Sequence, residues 1–128
     1  MKVSVHEDNM RRIFLLEDDQ GIREVLEILL ALEDYEVQSF ASIAEFMSRD
    51  LNIRPDLYLF DVNLPDGSGI DVCRSLRQDN QDEEIPVVIM SAHAHIGDLE
   101  GICEPQDFIS KPFDINFLLS RIEAAILQ

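Results

Sequence analysis

The sequence is short of positive charge. Only 10 Lys and Arg stand against 26 Asp and Glu in 128 residues, a formal net charge of −16. Nucleic-acid phosphates are a poor partner for such a surface, because binding them relies on Lys and Arg releasing counterions. The acidic excess raises cation density near any carboxylate cluster, although a solvated acidic surface accounts for most of it. Cysteine is scarce too: Cys73 and Cys103 show no CxxC spacing, which predicts free thiols in a reducing compartment. No apolar run approaches the roughly 18 residues of a membrane span. The start, MKVSVHEDNMRR, has no signal-peptide core, so a cytoplasmic protein without membrane contact is expected. GxGxxG and P-loop patterns are absent, as are internal repeats, and no organic cofactor is indicated.

What is present is a globular balance, 46% apolar and 28% charged, in a length suited to one compact domain. Residues 1–11 read as a flexible lead-in and 12–128 as the domain. Ile13-Phe14-Leu15-Leu16 is a short apolar run bounded by charge, as expected of a buried strand. From Gln20, the apolar positions Ile22, Val25, Leu26, Leu29 and Leu30 repeat at helical spacing. Glu36 to Phe40 reads as a second strand. Ser42-Ile43-Ala44-Glu45 is a capping-box pattern opening a helix with Ile43, Phe46, Met47 and Leu51, ended by Pro55.

Leu57-Tyr58-Leu59-Phe60 is a third strand stopping on Asp61, and the turn-rich segment from Asn63 to Gly69 leads to a helix bearing Ile70, Cys73 and Leu76. Val87-Val88-Ile89-Met90 ends at Ser91-Ala92, and Phe108-Ile109-Ser110 ends at Lys111-Pro112. Asp114 caps a last helix with Ile115, Leu118, Leu119, Ile122 and Ile126 on one stripe. Between strands four and five, Gly97, Gly101 and Pro105 predict a short or mobile helix. The pattern is (βα)₅, an α/β fold with a parallel sheet covered on both faces. Ligands in such sheets bind beyond the carboxyl ends of the strands.

Glu17, Asp18, Asp61, Ser91 and Lys111 all collect at that edge. With strands one and three adjacent, three carboxylates share one cleft, and each pair at about 4 Å repels by roughly 4 kcal/mol at an effective dielectric near 20. A cation must relieve this, and all-oxygen ligation with room for water suits Mg²⁺ or Mn²⁺ better than zinc. A carboxylate can then attack a phosphoryl group, with Lys111 and the Ser91 hydroxyl assisting. His93 and His95 offer too few ligands for a metal site and read as surface residues.

Four segments, Leu16-Glu17-Asp18-Asp19, Phe60 to Gly67, Val88-Ile89-Met90-Ser91-Ala92 and Phe108 to Phe113, resemble the signature blocks of response-regulator receiver domains of bacterial two-component signalling, the CheY-like superfamily. The resemblance spans roughly residues 12–127. It implies a flavodoxin-like, doubly wound five-stranded parallel sheet of order 2-1-3-4-5, with Asp61 as phosphoacceptor. It also implies Mg²⁺ bound by Asp18, Asp61 and the Asn63 backbone carbonyl, with Glu17 acting mainly through water. Lys111 would pair with the phosphoryl group and the Val62 and Ala92 backbone would cradle it. Ser91 and Phe108 would form the switch, and Asn63 and His93 would influence phosphoryl lifetime.

The implied partner is a sensor histidine kinase or histidine phosphotransfer protein, with a signalling rather than enzymatic role and a downstream protein or fused output domain. Glu104-Pro105-Gln106 departs from the family's small Gly-Ala. Two other readings stay open: a receiver-fold interaction module independent of phosphorylation, and an aspartate-nucleophile phosphohydrolase. The latter usually carries a second acid where this chain has Asn63.

Overall fold

Five strands, β1 (Arg11–Leu16), β2 (Tyr35–Phe40), β3 (Leu57–Asp61), β4 (Val87–Ser91) and β5 (Asp107–Ser110), form one sheet in the order β2-β1-β3-β4-β5. Every pairing in it is parallel. The computed structural model describes residues 10–78, 84–92 and 107–127. Its helices are α1 (Gln20–Leu32), α2 (Ile43–Met47), α3 (Gly69–Gln78) and α4 (Ile115–Leu127). This is the expected doubly wound flavodoxin-like α/β architecture. The helix expected between β4 and β5, together with His93 and His95, lies outside the described residues. No described helix is long and apolar enough to cross a membrane.

The strands read as unbroken apolar runs because both faces are covered. Alternation sends Ile13, Leu15, Leu57, Leu59, Val88, Met90 and Ile109 to one face, where Leu26 and Leu30 of α1 and Leu118, Ile122 and Ala125 of α4 close over them. Phe14, Leu16, Tyr58, Phe60, Val87 and Ile89 face the other side, under Phe46 of α2 and Val72, Cys73 and Leu76 of α3. Phe46 meets Phe40 and Phe60 at 5.3 Å and Tyr58 at 5.9 Å between ring centroids, each near perpendicular. Edge-to-face packing of this kind adds to burial, and it anchors a helix too short to stand alone.

Helix starts follow side-chain caps. Asp19 accepts from the Ile22 amide at 3.0 Å, and Ser42 Oγ accepts from the Glu45 amide at 3.2 Å. The Glu45 carboxylate reaches back to the Ala41 amide (3.0 Å), one residue earlier than a strict capping box.

Two expectations are corrected. α2 stops at Met47, not near Pro55, because Ser48 is its C-cap and Leu51 points into solvent, so the apolar spacing beyond Met47 has nothing to pack on. Cys73 is fully buried and disulfide-bonded rather than free. Bridging depends on Cβ separation set by the fold, which spacing along the chain does not report. Cys103 lies outside the described residues.

Candidate functional site at the carboxyl edge of the sheet

β1 and β3 are neighbours, paired Leu16 to Phe60, so the residues at their ends meet. Glu17 is held by its own amide, which donates to the Phe40 carbonyl at 3.0 Å. One carboxylate oxygen each from Glu17, Asp18 and Asp61 lies within 4.8 Å of the others. Lys111, just past β5, places Nζ 3.0 Å from Glu17 Oε1 and 3.3 Å from Asp61 Oδ1. Glu17 Oε2 accepts from the Asp19 amide at 3.1 Å. Glu17, Asp61 and Ser91 are the buried polar residues of the described chain.

Burial pushes the Glu17 carboxyl above its ordinary value, and the Asp61 charge adds to this while the Lys111 hydrogen bond opposes it. Burial alone would lower Lys111, but the Glu17 hydrogen bond and the charges of Glu17 and Asp61 outweigh it and raise the ammonium above the ordinary lysine value. Among the described residues, one ammonium contacts two of the three clustered carboxylates, Glu17 and Asp61, and negative charge is left over. The donors are all oxygen, and Asp18 is exposed, which leaves an open side for water. That set fits a hard divalent cation and not zinc.

Other predicted residues fall as follows. Ser91 ends β4 beside Asp61's strand, and its carbonyl accepts the Lys111 amide at 2.8 Å. Phe108 pairs with Ile89 across the ladder and is half-buried against the aromatic face. Ala92 is exposed and lines an apolar groove of about 690 Å³ with Ile22, Val25, Lys111, Phe113 and Ile115. Asn63 sits two residues past Asp61, in a small hairpin pairing Asn63–Leu64 with Gly67–Ser68. The Val62 amide, expected to face the phosphoryl group, instead donates to the Met90 carbonyl at 3.1 Å, prolonging the β3–β4 ladder. His93 is outside the described residues.

Three residues escaped the sequence reading. The Arg23 guanidinium reaches back from α1 to the carbonyls of Glu17 (2.9 Å) and Asp18 (3.2 Å), holding the acidic loop. Asp66, at the hairpin tip, accepts from the amides of Ile43 and Ala44, each at 2.9 Å. Gly69 abuts the site so closely that a Cβ there would lie 2.1 Å from the Asp61 carbonyl oxygen. Arg23 and Asp66 bind main-chain atoms, which leave no pattern in sequence. Gly69 could have been suspected from its place at a turn leading into a helix.

The family model of the response regulator receiver domain matches residues 13–123. The chain belongs to that family. This receiver domain is 32% identical over 119 residues to the DNA-binding dual master transcriptional regulator RpaA of Synechocystis sp., a match covering 91% of this chain and 49% of the relative. It is 34% identical over 122 residues to the DNA-binding response regulator MtrA of Mycolicibacterium smegmatis, covering 93% and 52%. The chain thus spans about half the length of these curated relatives. The non-phosphorylated HemR receiver domain from Leptospira biflexa superposes with a TM-score of 0.79 at 30% identity, over 92% of this chain and 95% of that one.

Proposed function

We propose that this receiver domain accepts a phosphoryl group on Asp61 from a histidine kinase or histidine phosphotransfer protein. The observation that carries the reading is the contact of Lys111 with both Glu17 and Asp61, two buried carboxylates beside the exposed Asp18. Glu17, Asp18, Asp61 and the Asn63 carbonyl would hold Mg²⁺ or Mn²⁺. Bound there, the cation supplies charge neutralisation for the carboxylates and the incoming phosphoryl oxygens.

The chain's own groups do the rest. An Asp61 carboxylate oxygen attacks phosphorus, the phosphorus–nitrogen bond of the donor phosphohistidine breaks, and the imidazole leaves with that electron pair. Burial keeps the nucleophile from bulk water and strengthens the field of Lys111 at the developing charge. The Ser91 hydroxyl, at the end of the adjacent strand, donates to the transferred group, the Ala92 amide assists, and Phe108 follows Ser91 inward. Adding about two negative charges at Asp61 biases this element and carries the signal to a downstream protein or a fused output domain. Asn63 puts an amide where aspartate-nucleophile phosphohydrolases usually carry an acid, which favours a phosphoacceptor over a turnover enzyme.

Treatment with Mg²⁺ and acetyl phosphate should add one phosphoryl group by intact mass to the wild type and none to Asp61→Asn. An unmodified wild type, or an equally modified variant, would refute the assignment.

A further inference from the structure

We propose that Asp66 is a positioning residue for the cation site, acting through the hairpin that carries Asn63. The proposal rests on the reading of the Asn63 carbonyl as a ligand. The hairpin follows Asp61 directly, and its base is fixed by the main chain: the Val62 amide donates to Met90 at 3.1 Å and the Gly69 amide to the Val62 carbonyl at 3.0 Å. Beyond this base, two short strands of two residues each, Asn63–Leu64 and Gly67–Ser68, pair antiparallel. So small a ladder does not hold its own direction.

Asp66 ties down the tip. Its two carboxylate oxygens accept from two successive amides, Ile43 Oδ1-bound and Ala44 Oδ2-bound, both at 2.9 Å. Those amides open α2, where no intrahelical carbonyl is available to them. α2 is in turn immobilised by Phe46 in the aromatic core. The tip also lies flat on α2: a Cβ at Gly67 would come 2.8 Å from Ile43 Cδ1, and Gly67 has a φ of +152°. Core, α2, Asp66 and hairpin form one mechanical chain ending near the Asn63 carbonyl. The fully charged form of Asp66 is favoured, since the two amide hydrogen bonds hold its carboxyl below the ordinary aspartate value. Loss of the tether lets the hairpin swing, and a carbonyl ligand that must be ordered on binding weakens affinity.

The test compares Asp66→Ala with Asp66→Asn. Both remove the charge, but Asn keeps an acceptor oxygen. Mg²⁺ affinity is read by calorimetry, and exchange of the Ile43 and Ala44 amides by NMR. We expect Asp66→Ala to weaken Mg²⁺ binding about tenfold, the low end of losses for residues supporting a ligand, and to speed exchange of both amides. Asp66→Asn should stay within about threefold of wild type, and saturating Mg²⁺ should restore the phosphorylation rate of both. Equal affinities in the two variants would overturn the proposal, whether both match wild type or both fall by the same factor through lost charge. A wild type that binds no Mg²⁺ would overturn the cation reading and the proposal with it. Unchanged amide exchange in Asp66→Ala, with wild-type Mg²⁺ binding intact, would overturn the tether alone.

Discussion

Both ends of the sheet carry ion pairs, and they are built differently. At the amino end, Arg12 Nε pairs with Glu36 at 2.8 Å, the Arg12 amide donates to Asp56 at 2.8 Å and Arg11 lies 3.9 Å from Asp56. Two cations face two anions, all of them partly exposed or more. At the carboxyl end, three carboxylates cluster together, the described ammonium Lys111 contacts two of them, and the Glu17 side chain is 1% exposed. Balanced, solvated pairs contribute little to stability and ask for no ligand. An unbalanced, largely buried cluster is destabilising by itself, and such clusters concentrate at functional sites. The local ratio of charges, more than their number, separates structure from site.

The largest expected break is at Lys111. Lys111→Met removes the ammonium that contacts Glu17 and Asp61 and should slow Asp61 phosphorylation by acetyl phosphate at saturating Mg²⁺ by about 10²-fold or more, the usual loss when one electrostatic stabiliser is removed. A rate within a few-fold of wild type would mean that the cation alone suffices.

Next comes Gly69→Ala, in which a methyl group would meet the Asp61 carbonyl oxygen at 2.1 Å. The backbone must move, and the cost should be about 1–3 kcal/mol in urea unfolding, accompanied by slower phosphorylation. Unchanged stability would show that α3 is free to shift outward.

Glu17 gives a slope rather than a step. Its carboxyl is raised above 4.5 by burial and by Asp61, so the folded chain holds this proton more tightly than the unfolded one. Stability of the metal-free protein therefore falls as pH rises from the unfolded value through the folded one. Glu17→Gln lacks this contribution, so the stability difference, wild type minus variant, should decline across that window. A difference that is flat or rises with pH contradicts the sign.

The smallest effect belongs to the amino end. Glu36→Gln should cost only about 0.2–1 kcal/mol, shrinking as salt is raised. A cost of several kcal/mol would erase the contrast between the ends.

Much of this was legible because of how strands end. Runs such as Leu57–Phe60 must be buried on both sides, so the acid that stops the run is forced to the sheet edge, and the edge in a parallel sheet is shared. The placement of Glu17, Asp61 and Lys111 at one edge was legible in that way. The length of α2 was not legible, since Leu51 keeps helical spacing with Met47 while facing water. The engagement of the Val62 amide with the Met90 carbonyl was not legible either, because ladder register decides which amides are bonded, and register is a property of two strands. The tether at Asp66 depends on proximity across some 22–23 residues, and the bond at Cys73 on the fold around it, neither of which local pattern encodes.

The closeness of Gly69 to Asp61 has a mechanical side. α3 begins against the Asp61 carbonyl with no room for even a methyl group, so the joint has no clearance. Such a joint transmits a push by steric contact and a pull by hydrogen bonding and packing. Displacement of α3 toward the sheet meets the Asp61 peptide at once, whereas withdrawal is opposed by the 3.0 Å hydrogen bond from the Gly69 amide to the Val62 carbonyl and by the packing of Val72, Cys73 and Leu76. The joint at Asp61 is thus stiff to compression from the α3 side, a stiffness set by the absence of a single carbon.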